Sequence, residues 1–421
     1  MTTRLRDDAD FRRYWLARTA SLTGSLITAV AMPVLVYRLS HSPFLTALTT
    51  TLEALPYLLI GLVAGAVGDR WDRKRVMVAA DVVNVGLIAS VPVAWWLGVL
   101  TVPHVLAAAV LVQAFFTFFD GANFGALPVL VGRSRVGEAN AAIWGFGGVL
   151  DLLAPAAVGL ALAVVHPADL LAVDALSYVA SALAVRAIRR PLSEARESGP
   201  ALRLAVVAGD VAEGIRFLGG HRGVRSMTLV GMLQSLAGAG FMGLVVVWCD
   251  RVLGIGTSGW RFGLLFSVWG VGGILASVAF PRLLRRTSPA RLTLAAIPVS
   301  AAAGILVALS QRWHLAAAAM VVWGVAYQLV IMASITYRQQ VTPERLLSRV
   351  NTGGRMLSWG VGWTLGALSA GALAEHVGTR RAMLALVGFG VVAAVFAWLS
   401  PLRQLAGEPA RARAAGTAGD A

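Results

Sequence analysis

Residues 44–98 read FLTALTTTLEALPYLLIGLVAGAVGDRWDRKRVMVAADVVNVGLIASVPVAWWLG. Two apolar stretches, 44–68 and 76–98, flank seven residues, Asp69 to Arg75, of which six are charged. Each stretch exceeds the about 20 residues that carry a helix across roughly 30 Å of hydrocarbon. The pair reads as two membrane-crossing helices joined by a short charged loop.

The pattern repeats in both directions. About twelve such spans can be drawn: 14–37, 44–68, 76–98, 104–131, 139–165, 169–188, 224–250, 260–284, 290–310, 313–337, 348–376 and 380–401. Hydrophobic residues make up 57% of the 421 residues and charged ones 14%, against about 25% charged in an ordinary soluble domain. A β-barrel would show short alternating segments instead. The expected class is an all-α membrane protein.

The net charge of +15 invites a nucleic-acid reading, but its distribution argues otherwise. With the N-terminus inside, 28 of the 36 basic residues fall in internal segments: 1–13, 70–75, 133–135, 186–225, 282–291, 338–349 and 403–413. Only Arg38, Arg251, Arg261, Arg312, Arg380 and Arg381 fall outside. That asymmetry orients a multi-pass protein in the cytoplasmic membrane with both termini in the cytoplasm. No nucleic-acid partner is expected. Cys249 is the single cysteine, so neither an intrachain disulfide nor a cysteine metal site is expected. The basic start followed by a long apolar run reads as an uncleaved first helix.

The longest polar interruption, 189–223, divides the chain near its middle. The domains expected are a six-helix bundle over 1–190, a cytoplasmic linker over 191–223, a second six-helix bundle over 224–403 and a disordered tail over 404–421. Within the linker, Leu204, Val207, Val211, Ile215 and Leu218 recur at helical spacing around Asp210, Glu213 and Arg216, as in an amphipathic surface helix. The halves echo each other. Asn140 follows Arg133 and Arg135 as Asn351 follows Arg345 and Arg349, and Gly65 to Arg75 matches Ser277 to Arg286 in placement. Parallel repeats of this kind mark two-bundle secondary transporters, whose substrate site lies at the bundle interface near mid-membrane.

The stretch Gly65-Ala-Val-Gly-Asp69-Arg70-Trp-Asp72-Arg73-Lys74 resembles the loop between the second and third helices of the major facilitator superfamily, written G-x-x-x-D-R-x-G-R-R/K. Gly65, Asp69, Arg70, Arg73 and Lys74 match it, and Asp72 stands where the family has glycine. The resemblance implies a gating loop. Gly65 would admit a neighbouring helix closely, Asp69 would meet a helix N-terminus near Ser348, and Arg70 and Arg73 would pair with carboxylates. Phe11 to Arg18, Asp174 to Tyr178, Glu213 to Leu218 and Ser348 to Val350 look like the enterobactin-exporter and macrolide-efflux branch, so the resemblance covers roughly residues 11 to 402. It implies the major facilitator fold and proton-driven export of small, often amphipathic compounds. Residues 147–159 are similar to the fifth-helix signature of drug:proton antiporters, G-P-x-x-x-G, with Pro155 and Gly159 kept and Ala154 in place of the first glycine.

Ionisable residues inside spans are costly and point to function. At 1.5 Å per residue, Glu53 and Asp151 fall near mid-depth, where a desolvated carboxyl is suited to carry a proton. They are the coupling candidates. Arg18, Asp81 and Arg355 fall nearer the cytoplasmic ends, where pairing or snorkelling is the simple explanation. Asp120 sits toward the cytoplasm and Asp174 near the outer edge. Trp95 and Trp96 read as interfacial belt.

No G-x-x-x-x-G-K-[ST] loop is present, and Lys74 is the only lysine, so ATP is not expected to drive the cycle. The histidines form no metal-spaced set, no nucleophile motif appears, and no cofactor is expected. The expectation is a non-enzyme, monomeric, whose partners are a small-molecule substrate, protons and the lipid bilayer. Export leads, with an importer of the same fold and a non-transporting receptor or scaffold as the alternatives.

Overall fold

The structure is a computed structural model describing residues 5–193 and 204–407. Every regular element among these residues is helical. Six helices come first: α1 (Ala9–Ser40), α2 (Pro43–Arg70), α3 (Arg73–Trp96), α4 (Val102–Val131), α5 (Val136–Ala161) and α6 (Pro167–Ala187). Then come α7 (Leu204–Gly220), α8 (Arg222–Arg251), α9 (Trp260–Leu284), α10 (Pro289–Leu309) and α11 (Trp313–Val341). Five shorter helices finish the chain: α12 (Glu344–Arg355), α13 (Thr364–Val377), α14 (Thr379–Val387), α15 (Phe389–Leu399) and α16 (Leu402–Gly407).

Helix starts follow local chemistry. Ser42 accepts from the Leu45 amide at 3.1 Å with Pro43 at the first position, and Ser288 accepts from the Arg291 amide at 3.2 Å ahead of Pro289. Proline fits there because the first helical amides have no intrahelical acceptor. Asp72 caps α3 through the Arg75 amide at 2.8 Å, so the aspartate at the family's glycine position has a structural use.

Eleven of the described helical stretches are long and apolar enough to cross a membrane. The expected span 348–376 is the exception, because it is interrupted. α12 runs into a π-helical segment, Met356–Trp363, before α13 resumes. Wider i→i+5 turns of this kind sit at packing or functional irregularities. Here Gly362 and Gly366 face the α8 backbone at Met232 and Leu236.

The chain forms two compact units: residues up to Arg203 with Thr257–Ser267, and Leu204–Gly256 with Val268 onward. The start of α9 thus belongs to the first unit. In that unit α1 packs on α5 and α6, α2 on α4, and α3 on α4 and α6. In the second, α8 packs on α13 and α15, and α10 on α11 and α15. Apolar side chains cover the outside, with Phe124 85% and Leu399 83% exposed, while Arg18, Asp81 and Asp174 are buried. A solvent of hydrocarbon tails allows that inversion.

α7 falls within the segment read as a linker, and it docks on α12. Gly214 lies against the Arg349 backbone, Leu218 reaches Gly353, and Glu213 pairs with Arg349 of α12. α16 places 404–407 in a helix, at the start of the segment read as a disordered tail. Residues 408–421 of that segment, and 194–203 of the linker, lie outside the described residues.

The start of α1 is clasped to the end of α6. Asp10 accepts from the Arg189 and Arg190 amides at 3.0 and 3.1 Å, and Asp8 caps α1 while pairing with Arg190. Burial alone would raise the Asp8 carboxyl, but bonds from Arg190 and the Phe11 and Asp10 amides outweigh it and hold it below the usual range. A depressed folded value means the contribution is complete above the unfolded carboxyl value, about 3.9. It is lost as pH falls through the lower folded value. Hydrogen exchange of the α1 N-terminus is therefore expected to stay slow as pH falls to about 4 and to accelerate only below it. Asp8→Asn should make it fast throughout.

Gly68 is where α2 and α4 meet. A Cβ there would stand 2.7 Å from the Ala122 amide nitrogen, and one on Gly121 2.8 Å from the Ala64 carbonyl. The Cβ direction of Gly65 is open, but its amide nitrogen would lie 3.1 Å from a Cβ on Gly121, so α4 approaches α2 closely at both Gly65 and Gly68. Gly65→Ala should leave the melting temperature of the purified protein unchanged or raise it slightly. Gly68→Ala should lower it by several degrees, since neither backbone can yield.

Candidate transport and coupling site

The cations at the junction of α2 and α3 bond main-chain carbonyls, two of them, Gly68 and Ile188, at helix ends. The Arg73 guanidinium donates to the Gly68 carbonyl at 3.1 Å, the Gly125 carbonyl at 2.9 Å and the Leu192 carbonyl at 3.4 Å. Lys74 Nζ donates to the Ile188 carbonyl at 2.7 Å. The last carbonyls of a helix lack intrahelical donors and carry partial negative charge, so cations are stabilised there. Gly125 is glycine because a Cβ would stand 2.5 Å from the Arg73 guanidinium carbon. Beside the carboxylate pairing expected of Arg73, these bonds give it main-chain carbonyl partners. Arg70 is exposed at the end of α2, and the Asp69 side chain lies outside the described residues.

Glu53 is half-buried on α2 and has no hydrogen-bond or ion-pair partner among the described residues. One turn along the same face, the Tyr57 hydroxyl donates to Asp120 of α4 at 3.4 Å. Glu53 and Asp120 are thereby brought to one side of α2. Asp151 is elsewhere: it is exposed on α5, between exposed Val149 and Leu153. Further along α5, Pro155 and Gly159 form a tight seam with the first turns of α9. The Gly259 amide donates to the Gly159 carbonyl at 2.6 Å, and a Cβ on Gly263 would stand 2.8 Å from the Pro155 carbonyl. These signature residues pack backbone on backbone.

A set of buried polar groups lies between α1, α3 and α6, and it includes residues expected only to pair or snorkel. Arg18 is 5% exposed and Asp81 1%. Neither reaches solvent along an extended stem, which corrects the snorkelling reading. Arg18 stands 5.7 Å from the Phe119 ring centroid, and its Nη1 has no hydrogen-bond partner. Both carboxylate oxygens of Asp81, both amide atoms of Asn84 and the Ser181 hydroxyl are likewise buried without partners. Each such orphan costs roughly 1–3 kcal/mol. Asp174 contrasts with them: it is fully buried and accepts from the hydroxyls of Thr28 and Ser177, the latter at 2.9 Å. Gly24 makes room for it, since a Cβ there would overlap both Asp174 and Ser177. Asn84, Ser181 and Thr28 were not singled out from the sequence. The signal was present in the i, i+3 spacing of Asp81 and Asn84 and the i, i+4, i+7 spacing of Asp174, Tyr178 and Ser181.

The second unit holds an aromatic cluster that sequence reasoning also missed. Phe241 lies 5.0 Å from Trp323, 5.9 Å from Trp248 and 6.2 Å from Trp269. Trp269 in turn lies 5.2 Å from Tyr327. Trp269 is half-buried and the others buried. The rings come from α8, α9 and α11, at positions too scattered to form a run. In the contiguous run Trp95-Trp96, Trp95 stacks on His166 at 3.7 Å, and Trp96 donates to Asp169 at 2.7 Å. Arg355 is exposed at the end of α12, whereas Arg338, read as part of a loop, is buried against Gly354.

A profile of the family described as transmembrane secretion effector matches residues 3–414. The multidrug efflux pump Tap of Mycolicibacterium fortuitum is 26% identical over 392 residues, spanning 91% of this chain and 93% of Tap. The enterobactin exporter EntS of Shigella boydii serotype 4 (strain Sb227) is 26% identical over 391 residues, spanning 91% and 89%. Among solved structures, the nucleoside transporter NupG superposes with a TM-score of 0.75 at 13% identity over 93% of this chain and 99% of its own. A bacterial homologue of the human lysosomal transporter Spinster, inward-facing and unoccupied, gives 0.71 at 17% identity over 97% and 100%. The structural matches establish the fold alone.

Proposed function

The chain belongs to the transmembrane secretion effector family of the major facilitator superfamily, and on that premise we propose that it exports a small hydrophobic or amphipathic compound by proton-coupled alternating access. The observation that carries the direction is the end-to-end similarity to an efflux pump and an exporter. Coupling is supported by Glu53, a carboxyl inside a membrane helix with no described partner to fix its charge. Such a residue is expensive to keep unless it works. Glu53 takes the proton, with Asp151 as the second candidate. The aromatic cluster around Phe241 and the half-buried Trp269 suit a flat apolar ring system.

The cycle runs without ATP. The charge asymmetry of the loops puts both termini and the α7 segment in the cytoplasm, and a single chain forms the transport unit. Gly65, Asp69, Arg70, Arg73 and Lys74 form the cytoplasmic gating loop, in which Arg73 and Lys74 hold α2, α4 and the end of α6 together. Ala154, in place of the antiporter signature's glycine, favours one other reading, an importer of the same fold.

Tolerance tests the direction. Cells expressing the protein are grown against a panel of amphipathic antibiotics and dyes. Raised tolerance to some members is the expected result, and selective hypersensitivity would establish import instead.

A further inference from the structure

We propose that Asp81, enclosed by Arg18, Asn84 and Ser181, is a second protonatable site, whose carboxyl takes up and returns one proton during the transport cycle. This rests on the proton-coupled reading above and adds a site to it.

The argument begins with the orphaned atoms. Folded interiors leave few buried polar groups unpaired, and each exception calls for a cause. Here four side chains on three helices leave them in one place: Arg18 Nη1, both Asp81 oxygens, both Asn84 amide atoms and the Ser181 hydroxyl. Ser181 and Arg18 face Asp81, and Tyr178 stands near both Asp81 and Asp174. A permanently ionised carboxylate requires fixed donors, and Asp174 has them in Thr28 and Ser177. Asp81 has none.

Charge counting assigns the exchangeable proton. The charged groups around Asp81 are Arg18 from α1 and Asp174 from α6, with Tyr178 as the neutral titratable neighbour. From the α4 side comes Asp120, which Tyr57 of α2 bonds at 3.4 Å. With Asp81, Asp174 and Asp120 all ionised, Arg18 leaves the set two charges short of neutrality. Thr28 and Ser177 hold Asp174 and Tyr57 bonds Asp120, so one proton falls to Asp81. The guanidinium cannot supply it, because arginine does not deprotonate in proteins. A metal cation is disfavoured by the same guanidinium, a fixed positive charge in a confined space of low dielectric. The proton bonds to one Asp81 oxygen, converting it to an O–H that can donate to the Asn84 or Ser181 oxygen. On release it leaves a carboxylate that those same side chains, with Arg18, turn to meet as donors. The amide and hydroxyl, each able to donate or accept, serve both states.

The test reads the proton itself. The full chain is purified into lipid nanodiscs, and infrared difference spectra are recorded across a pH titration with no substrate present. A carbonyl band of a protonated carboxyl, lost on alkalinisation, is expected in the wild type. It should vanish in Asp81→Asn and persist in Glu53→Gln as a component separate from that of Glu53. Should Asp81→Asn fail to fold, Asp81→Glu serves: the band should survive at a displaced frequency. A spectrum unchanged by Asp81→Asn, or a band that Asp81→Glu does not displace, overturns the proposal. Because no transported compound is involved, a failure of the export reading would leave the Asp81 band in place, so the two failures are distinguishable.

Discussion

Glu53→Gln is expected to abolish uncoupler-sensitive transport while leaving the protein folded and in the membrane. Glutamine keeps the volume and the hydrogen-bonding reach of the side chain but cannot cycle a proton. The half-buried site has no described partner whose charge the change would strand, so little stability is at stake. The effect on transport is large because coupling is all or none. One elementary charge moving down about 100 mV is worth roughly 2.3 kcal/mol, which sustains a concentration ratio of about 50-fold. Without a proton carrier that ratio collapses toward unity, and only downhill exchange remains. Asp151→Asn is the matched control. Its carboxyl lies exposed on α5, so its loss should reduce transport less than that of Glu53. Initial rates in proteoliposomes with an imposed pH gradient separate the two. Equal losses would make both carboxyls part of the path, and an unaffected Glu53→Gln would remove it from the mechanism.

Arg73→Ala should destabilise the protein more than any other single change in the charged loop. The guanidinium holds carbonyls at the end of α2, within α4 and in the segment after α6, so truncation releases three stretches of backbone together. A hydrogen bond from a charged donor contributes about 1.5–3 kcal/mol. Arg73 is half-buried, and partial solvent screening reduces the total, leaving an expected loss of about 3 kcal/mol. Arg73→Lys should recover a minor part, because an ammonium cannot reach three carbonyls in the planar geometry that a guanidinium offers. Lys74→Ala, which removes one bond to Ile188, should cost less than either. Thermal melting of the purified variants ranks them. If Lys74→Ala proved worse than Arg73→Ala, the account of the loop as a clasp centred on Arg73 would be wrong.

What the chain sequence could reveal divides along a physical line. Membrane crossings were legible because hydropathy is a property of composition alone. The interruption at Met356–Trp363 was not, because an i→i+5 register leaves no mark in composition. Rotation about the helix axis was equally hidden. It points the Cβ position of Gly68 at α4 and that of Gly65 into open space, and it turns Arg18 and Asp81 into the interior where depth along the helix suggested an interfacial end. The importance of Arg73 was legible from the loop pattern, but its partners were not. Those described include main-chain carbonyls of Gly68, Gly125 and Leu192, and a backbone acceptor has no residue type to recognise. For the same reason the aromatic cluster of Phe241, Trp248, Trp269, Trp323 and Tyr327 went unseen while the contiguous Trp95-Trp96 drew notice.

The most direct test of proton-driven export is the accumulation of fluorescent amphipathic dyes in cells expressing the protein, with and without a protonophore. The account predicts lowered accumulation of at least one dye relative to cells lacking the protein, restored by the protonophore, and no lowering in cells carrying Glu53→Gln. Accumulation that is raised and falls on uncoupling would contradict export and make the chain an importer. Lowering that survives the protonophore would contradict proton coupling.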